Sequence, residues 1–258
     1  MKTLKFIGMA LLAVVLCVNF TACSDDDDEP NGETPSGNAL KLSSLTWDDG
    51  SWTDYSYDSQ GRVSKVEDYD ETGDMFNSTT IEYNDNNIVA TTDGGEHRDV
   101  CTLNSNGQIE RTVCTSFGHT TTCEYTYDGN GQLTSINYED GESYQLVWEN
   151  GNLVRTEIDS DVITCTYTSI SSSKGFIVYG DDILIDIFSD GNNLPLLANL
   201  GYFGKAPQNM MESLTYTNKT SGDATVINYS YELGKDGYVS KMSGTSQGVT
   251  LWGTLAWE

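Results

Sequence analysis

Tyr125-Thr126-Tyr127-Asp128-Gly129-Asn130-Gly131-Gln132-Leu133-Thr134-Ser135-Ile136-Asn137-Tyr138 decides the fold. It reads as two short strands, rich in aromatic and β-branched residues, around a tight turn. Asp128 can accept hydrogen bonds from the amides just ahead of it, and Gly129 and Asn130 suit the central turn positions. Gly131 can take the positive φ that a hairpin loop with a bulge demands.

Working outward, the same unit recurs as Tyr55-Ser56-Tyr57-Asp58-Ser59-Gln60-Gly61-Arg62-Val63 and, slightly longer, from Tyr229-Ser230-Tyr231-Glu232 to Asp236-Gly237-Tyr238-Val239. Weaker copies run from Glu82 to Ile88, Thr102 to Ile109 and Val147 to Leu153, each with a bulky residue, a polar turn and an aliphatic restart. Turns about 20 to 27 residues apart supply two strands of ordinary length per repeat. The fold class is therefore all-β, an antiparallel meander of consecutive hairpins curled into a large open sheet or barrel. Thr46-Trp47-Asp48-Asp49-Gly50 reads as the closing strand of a truncated first repeat, and Thr250 to Glu258 as the last strand.

One segment breaks the rhythm. Ile183 to Phe188 still reads as strand, but after Gly191 the apolar residues Leu194, Leu196, Leu197, Leu200 and Phe203 are spaced closer to helical than to alternating fashion. A short helical or irregular insert near 191–212 is expected, with Leu194 to Phe203 packed on the sheet as a cap.

The N-terminus divides into address and tether. Residues 1–22 combine a basic start, Lys2 and Lys5, with an apolar run from Phe6 to Val18 that is too short for a stable membrane helix, as in an export signal. Phe20-Thr21-Ala22-Cys23 is similar to a bacterial lipobox, which makes Cys23 the expected lipid attachment site. Residues 23–38, with Asp25 to Glu29 and then Gly and Pro, form an acidic flexible tether, and 39–258 a single repeat-built β domain. An acidic run just after a lipidated cysteine resembles the surface-export signal of Bacteroidetes lipoproteins, implying an outer-membrane anchor facing the cell exterior.

The chain of 258 residues has 13 basic and 39 acidic side chains, a net charge of −26. After Asn38 there remain 33 acidic and 11 basic residues, so the domain itself carries −22. That field repels nucleic acid and anionic membrane surfaces, and is compatible with sugars, cations or basic partners. The membrane is then touched through the lipid on Cys23 alone. A transmembrane barrel needs an outward apolar band, whereas Lys65, Glu67, Glu110, Arg111, Glu157 and Lys241 interrupt the strands.

The lipobox, the acidic run, the Tyr-Asp repeats, Leu200-Gly201-Tyr202-Phe203-Gly204-Lys205-Ala206-Pro207 and the Trp257-Glu258 ending together resemble a family of Bacteroidetes surface lipoproteins with a porin-like fold. The repeats alone resemble those of Rhs-type shell proteins. The resemblance spans the mature chain and supplies no catalytic residues.

Catalytic constellations are sparse. His97 and His119 are the only histidines, both near expected turns, so neither a His-rich zinc cluster nor a Ser-His-Asp set is visible. No glycine-rich nucleotide loop precedes a helix, and no cofactor or metal is expected. Asp181, Asp182 and Asp186 are close in sequence. Asp68 to Gly73 half resembles a calcium loop, but Thr79 stands where the bidentate Glu belongs.

The functional reading is a non-catalytic, surface-tethered binding or interaction module, with a glycan or another extracellular molecule as ligand. The alternatives are a secreted carboxylate-dependent hydrolase and a structural surface protein without small ligand. The aromatic residues just before the turns, Tyr57, Tyr83, Tyr127, Trp148, Tyr167, Tyr231 and Trp257, should meet at one end of the sheet. They read either as a stabilising ladder or as a sugar-stacking platform, with Trp148, Tyr127 and Asp128 the candidate ligand-binding residues.

Cys101, Cys114, Cys123 and Cys165 fall in expected strands of an exported domain, where disulfides are permitted. A two-residue Gly118-His119 turn sets Cys114 opposite Cys123. A three-residue turn that includes Phe117 sets Val113 there instead, keeping Ile109, Val113, Tyr125 and Tyr127 on one face. Patterning favours the second register and argues against the bridge.

Overall fold

The computed structural model describes residues 40–158, 161–174, 197 and 200–258. The signal segment, Cys23 and tether, the strand expected at 183–188, and Asp181, Asp182 and Asp186 lie outside the described residues.

Among the described residues sixteen strands follow one another: Leu42–Trp47 (β1), Trp52–Tyr57 (β2), Val63–Tyr69 (β3), Met75–Tyr83 (β4), Asn87–Thr92 (β5), His97–Leu103 (β6), Ile109–Ser116 (β7) and His119–Tyr127 (β8). Then come Leu133–Tyr138 (β9), Ser143–Glu149 (β10), Asn152–Ile158 (β11), Asp161–Ser171 (β12), Asn209–Asn218 (β13), Ala224–Leu233 (β14), Val239–Ser246 (β15) and Val249–Trp257 (β16). Each pairs antiparallel with its neighbours in sequence, and β1 pairs with β16, so the meander closes into a barrel with no free edge. Lys41 and Glu258 complete the seam by exchanging backbone bonds of 2.7 and 2.8 Å. The expected first repeat is thus corrected: Trp47 ends an opening strand and Asp48 to Gly50 begin its hairpin turn, because β16 needs a full-length partner to bury its inward face.

The turns from even to odd strands gather at one end of the barrel, here the ladder end, and those from odd to even strands at the other, the far end. At the ladder end the turn chemistry is as read: Asp128 Oδ1 accepts from the amides of Asn130 and Gln132, both at 2.9 Å, and Gly131 has φ 79°.

What alternation does not show is the bulge that follows. Tyr127 pairs with Leu133 but Thr126 with Ser135, leaving Thr134 extra. Bulged odd strands therefore bury residues at positions i, i+3 and i+5, as with Leu133, Ile136 and Tyr138, or Ile109, Thr112 and Cys114. A bulge reverses which parity faces inward. Buried residues from every strand form one hydrophobic cluster, with Leu42, Leu45, Ile109, Ile136 and Ile163 fully buried.

The turn overturns both registers considered for the cysteines. Phe117 and Gly118 both have positive φ, 46° and 82°, and form a two-residue turn between Ser116 and His119. Cys123 therefore faces Thr112, Val113 faces Thr122 on the outside, and Cys114 and Cys123 both point inward. Ile109 and Val113 lie on opposite faces because Glu110 is the bulged residue between them. The four cysteines among the described residues are buried thiols outside any disulfide, and burial pushes the Cys165 thiol up to about 12.

Ellman's reagent at about pH 8 should accordingly leave Cys101, Cys114, Cys123 and Cys165 untouched in the native chain and titrate all four in guanidinium, since a buried protonated thiol is a poor nucleophile. A Cys114 to Cys123 crosslink in the unreduced protein would overturn this register.

Candidate binding surfaces

Toward the ladder end, seven odd strands carry a bulge at which a backbone carbonyl accepts a hydrogen bond from a ring donor. Tyr57 Oη donates to Leu42 O at 2.6 Å, Tyr83 to Val63 at 2.8 Å, Tyr127 to Ile109 at 2.5 Å, Tyr167 to Leu153 at 2.7 Å and Tyr231 to Met211 at 2.7 Å. Trp148 and Trp257 do the same with Nε1, to Leu133 and Val239, both at 2.7 Å. All seven acceptors lie at a register shift in the preceding odd strand. The eighth hairpin supplies the control. Ile88 of β5 pairs with Tyr83 and Cys101 without a shift, and the matching position of β6 is Leu103, which has no donor. Ring donors occur where there is a bulge carbonyl to satisfy.

The expected candidates Trp148, Tyr127 and Asp128 are therefore brought to one end, and each has a partner there. Trp148 and Tyr127 are half-buried with their polar atoms bonded inward. Burial pushes the Tyr127 phenol far above its ordinary range, so it remains a donor. The Gln132 amide foremost, then the Asn130 amide, hold the Asp128 carboxyl below the usual carboxylate range, with slight burial opposing them. Three ring faces at this end carry cations: Lys41 over Tyr57 at 4.8 Å, Arg62 over Tyr83 at 4.0 Å and Lys174 over Tyr238 at 4.5 Å.

The insert between β12 and β13 also docks here, as a cap. Leu197, Leu200 and Phe203 are buried, and Phe203 meets the inward ring of Tyr125 edge-on at 4.8 Å. Its backbone is stitched to the turns by Ile109 N to Tyr202 O at 2.7 Å, Lys205 N to Gly131 O at 2.9 Å and Gln208 N to Gly151 O at 2.9 Å. Gly204 has φ 89°, and a Cβ there would come 2.5 Å from Gly131 O. Among the described residues of the cap, Leu197 is helical and 200–203 form a turn. It ends before Asn209, where β13 begins, so the expected 191–212 insert is trimmed by the strand that β12 and β14 recruit.

Inside the barrel toward the far end the wall is polar. Asp68, 5% exposed, accepts from Thr53 Oγ1 and Asn77 Nδ2, both at 2.7 Å. Asp161 accepts from Asn218 at 2.8 Å, and buried Asp99 lies against Cys114. These carboxylates are engaged in the wall and buried. The calcium-loop residues diverge: Asp68 faces inward, while Asp70 caps its own turn through Thr72 and Asp74. His97 meets Ser116 through Nδ1 at 2.8 Å and Phe117 edge-on, a cross-strand pair that sequence spacing hid. Among the described residues this pair has no carboxylate on the ring's other nitrogen.

The outside inverts a membrane barrel. Outward positions are mostly Ser, Thr and charged residues, including all six charges expected to interrupt a lipid band. Wall cations pair locally, as Lys65 with Glu67 at 2.7 Å and Arg155 with Glu157 at 2.9 Å. The far-end turns are strongly acidic, with eight carboxylates in Asp48-Asp49, Asp70-Glu71 with Asp74, and Glu139-Asp140 with Glu142.

Two substitutions test the ladder. Tyr127→Phe should lower stability by about 1–3 kcal/mol, the cost of orphaning a buried carbonyl, and Trp148→Ala by roughly 3 kcal/mol, both read as the midpoint of denaturant unfolding. A Trp148→Ala chain that kept its melting temperature and lost glycan retention would make the residue a platform instead. Leu200→Asp should unfold or aggregate the domain, since each large apolar side chain of the cap contributes about 1.5–3 kcal/mol by burial; unchanged monodispersity would make the cap an exposed loop.

Among solved structures, the chain is similar to a porin-like protein from Bacteroides uniformis, with 19% identity, a TM-score of 0.66, and coverage of 84% of this chain and 96% of that one. A porin-like protein from Bacteroides vulgatus matches at 11% identity and a TM-score of 0.57, over 84% and 98% of the respective chains. At these identities the shared property is the fold. No curated protein matches. The model of a domain of unknown function with porin-like fold, DUF4595, matches residues 41–241, and the chain belongs to that family.

Proposed function

We propose that this chain is a lipid-anchored protein of the bacterial outer membrane, facing the cell exterior, that works by binding and not by catalysis. Cys23 carries the lipid and residues 23–38 are the tether. The observation that supports this most is the distribution of polarity. A barrel polar outside and packed inside has neither the apolar band that would seat it in lipid nor an open channel at the level of its core. Its working parts are then its surfaces, and membrane attachment falls to the acyl chains. Lys41 pairs with Glu258 at the ladder end, and in this reading the tether joins the barrel there, with the far end presented away from the anchor.

The ligand in this reading is an extracellular molecule, a glycan or a protein. A glycan array and a polysaccharide-degradation assay separate binding from hydrolysis. Anchoring has its own test. Cys23→Ala should abolish acyl labelling and move the protein out of the membrane fraction, and protease added to whole cells should remove the wild-type domain. Persistent membrane association without acylation would overturn the anchoring. Protection from protease in intact cells would overturn the outward orientation.

A further inference from the structure

We infer that the outer wall of β2–β4 at the far end is a docking site for a basic segment of another protein, one that carries both Lys or Arg and apolar side chains. The inference names the partner class for the binding module proposed above and rests on that reading.

The site begins with an irregularity. Asp68 pairs with Asn77 and Tyr69 with Met75, so Phe76 is an extra residue in β4. Bulges re-aim side chains, and here Phe76 stands 55% exposed beside Met75 at 51%. Next to them Trp52 and Tyr69 are stacked, with ring centroids 4.9 Å apart and planes 10° from parallel. The stack is held in place: Trp52 Nε1 donates to Asp54 at 3.2 Å, and the Gly73 turn lies against the indole. Four large apolar side chains thus adjoin on three successive strands of a wall that is otherwise Ser, Thr and charge. None of them is needed by the core, which lies on the other face of the sheet. A contiguous exposed apolar patch with a polar border marks an interaction surface.

Charge decides the occupant. Asp54, Glu71 and Asp74 border the patch and no basic residue lies in the turn Asp70–Asp74. The chain's own tether carries Asp25 to Glu29, and a second copy would bring the same carboxylates face to face at a net charge of −26 per chain. Both are repelled, as are nucleic acid and lipid phosphates. A basic segment is attracted. Its cations can pair with the bordering carboxylates or lie over the aromatic faces, while its apolar side chains cover Phe76 and Met75. Exposed carboxylates steer such an encounter from a distance, and salt screens them.

The test uses the full-length chain in detergent against an array of 15-residue peptides, graded from Glu-rich to Lys/Arg-rich, each with and without Leu and Phe. Retention is expected on peptides that combine basic and apolar residues. Phe76→Ser and Trp52→Ser should each weaken it at least about tenfold, as an anchor at the centre of a patch does, with the melting temperature unchanged. As an internal control, Val147→Ser in β10, an exposed apolar residue seven strands round the barrel from β3, should bind like wild type. Raising the ionic strength should weaken wild-type binding. Equal binding by Phe76→Ser and Phe76→Leu alike with wild type, or equal retention on basic peptides lacking apolar residues, would overturn the site. So would a glycan that competes at the patch. The assay is independent of acylation, so its failure is distinguishable from failure of the anchoring experiment.

Discussion

The bond from a ring donor to a bulge carbonyl organises this barrel. A turn with glycine in the left-handed region is followed by an extra residue in the next strand, and the extra residue takes one carbonyl out of register inside the molecule. An unpaired buried carbonyl costs about as much as the bond would contribute, roughly 1–3 kcal/mol. The aromatic residue at the end of the next strand supplies the donor and fills space with its ring. Seven repetitions set the geometry of a whole rim, and the unbulged β5 hairpin, with Leu103 in place of an aromatic donor, shows the two features to be one device. The final bonds, Tyr57 to Leu42 and Trp257 to Val239, flank the β1–β16 seam and help hold the closure.

That device divides the molecule by task. The ladder end is consumed by structure: its donors are bonded, ring faces are covered by cations, and the cap is stitched over its turns. The far end has shorter turns without the ladder, and its carboxylates have few basic neighbours. With porin topology but polarity reversed, the barrel is a rigid body whose outside is free to carry recognition. The binding role proposed above would leave no catalytic motif, since it would rest on which side chains a wall leaves exposed.

Short-range chemistry was open to reading from the residues. Asp128 capping its turn, Gly131 at positive φ, the succession of hairpins, the aromatic residues gathered at one end, and the burial of Leu200 and Phe203 all follow from contacts a few residues apart or from apolar density. The cap's place was legible only as a need for burial; that it closes the ladder end follows from where β12 stops and β13 starts.

Parity was not legible. A single inserted residue such as Glu110 or Phe76 reverses every side chain after it, and a string of alternating residues reads almost the same with or without it. Hence the opposite faces of Ile109 and Val113, the inward turn of Asp68, and the outward patch on β2–β4; the cysteine register turned instead on Phe117 taking a positive φ, which its residue type does not announce. Closure belongs to the same class. The sequence by itself determined strands, turns and the order of hairpins, because these depend on neighbours along the chain. Only the tertiary structure decided which face was inside, that β1 meets β16 across more than two hundred residues, and which aromatic rings stay bonded or stand free, because those depend on where a bulge falls and on what the rest of the barrel brings opposite.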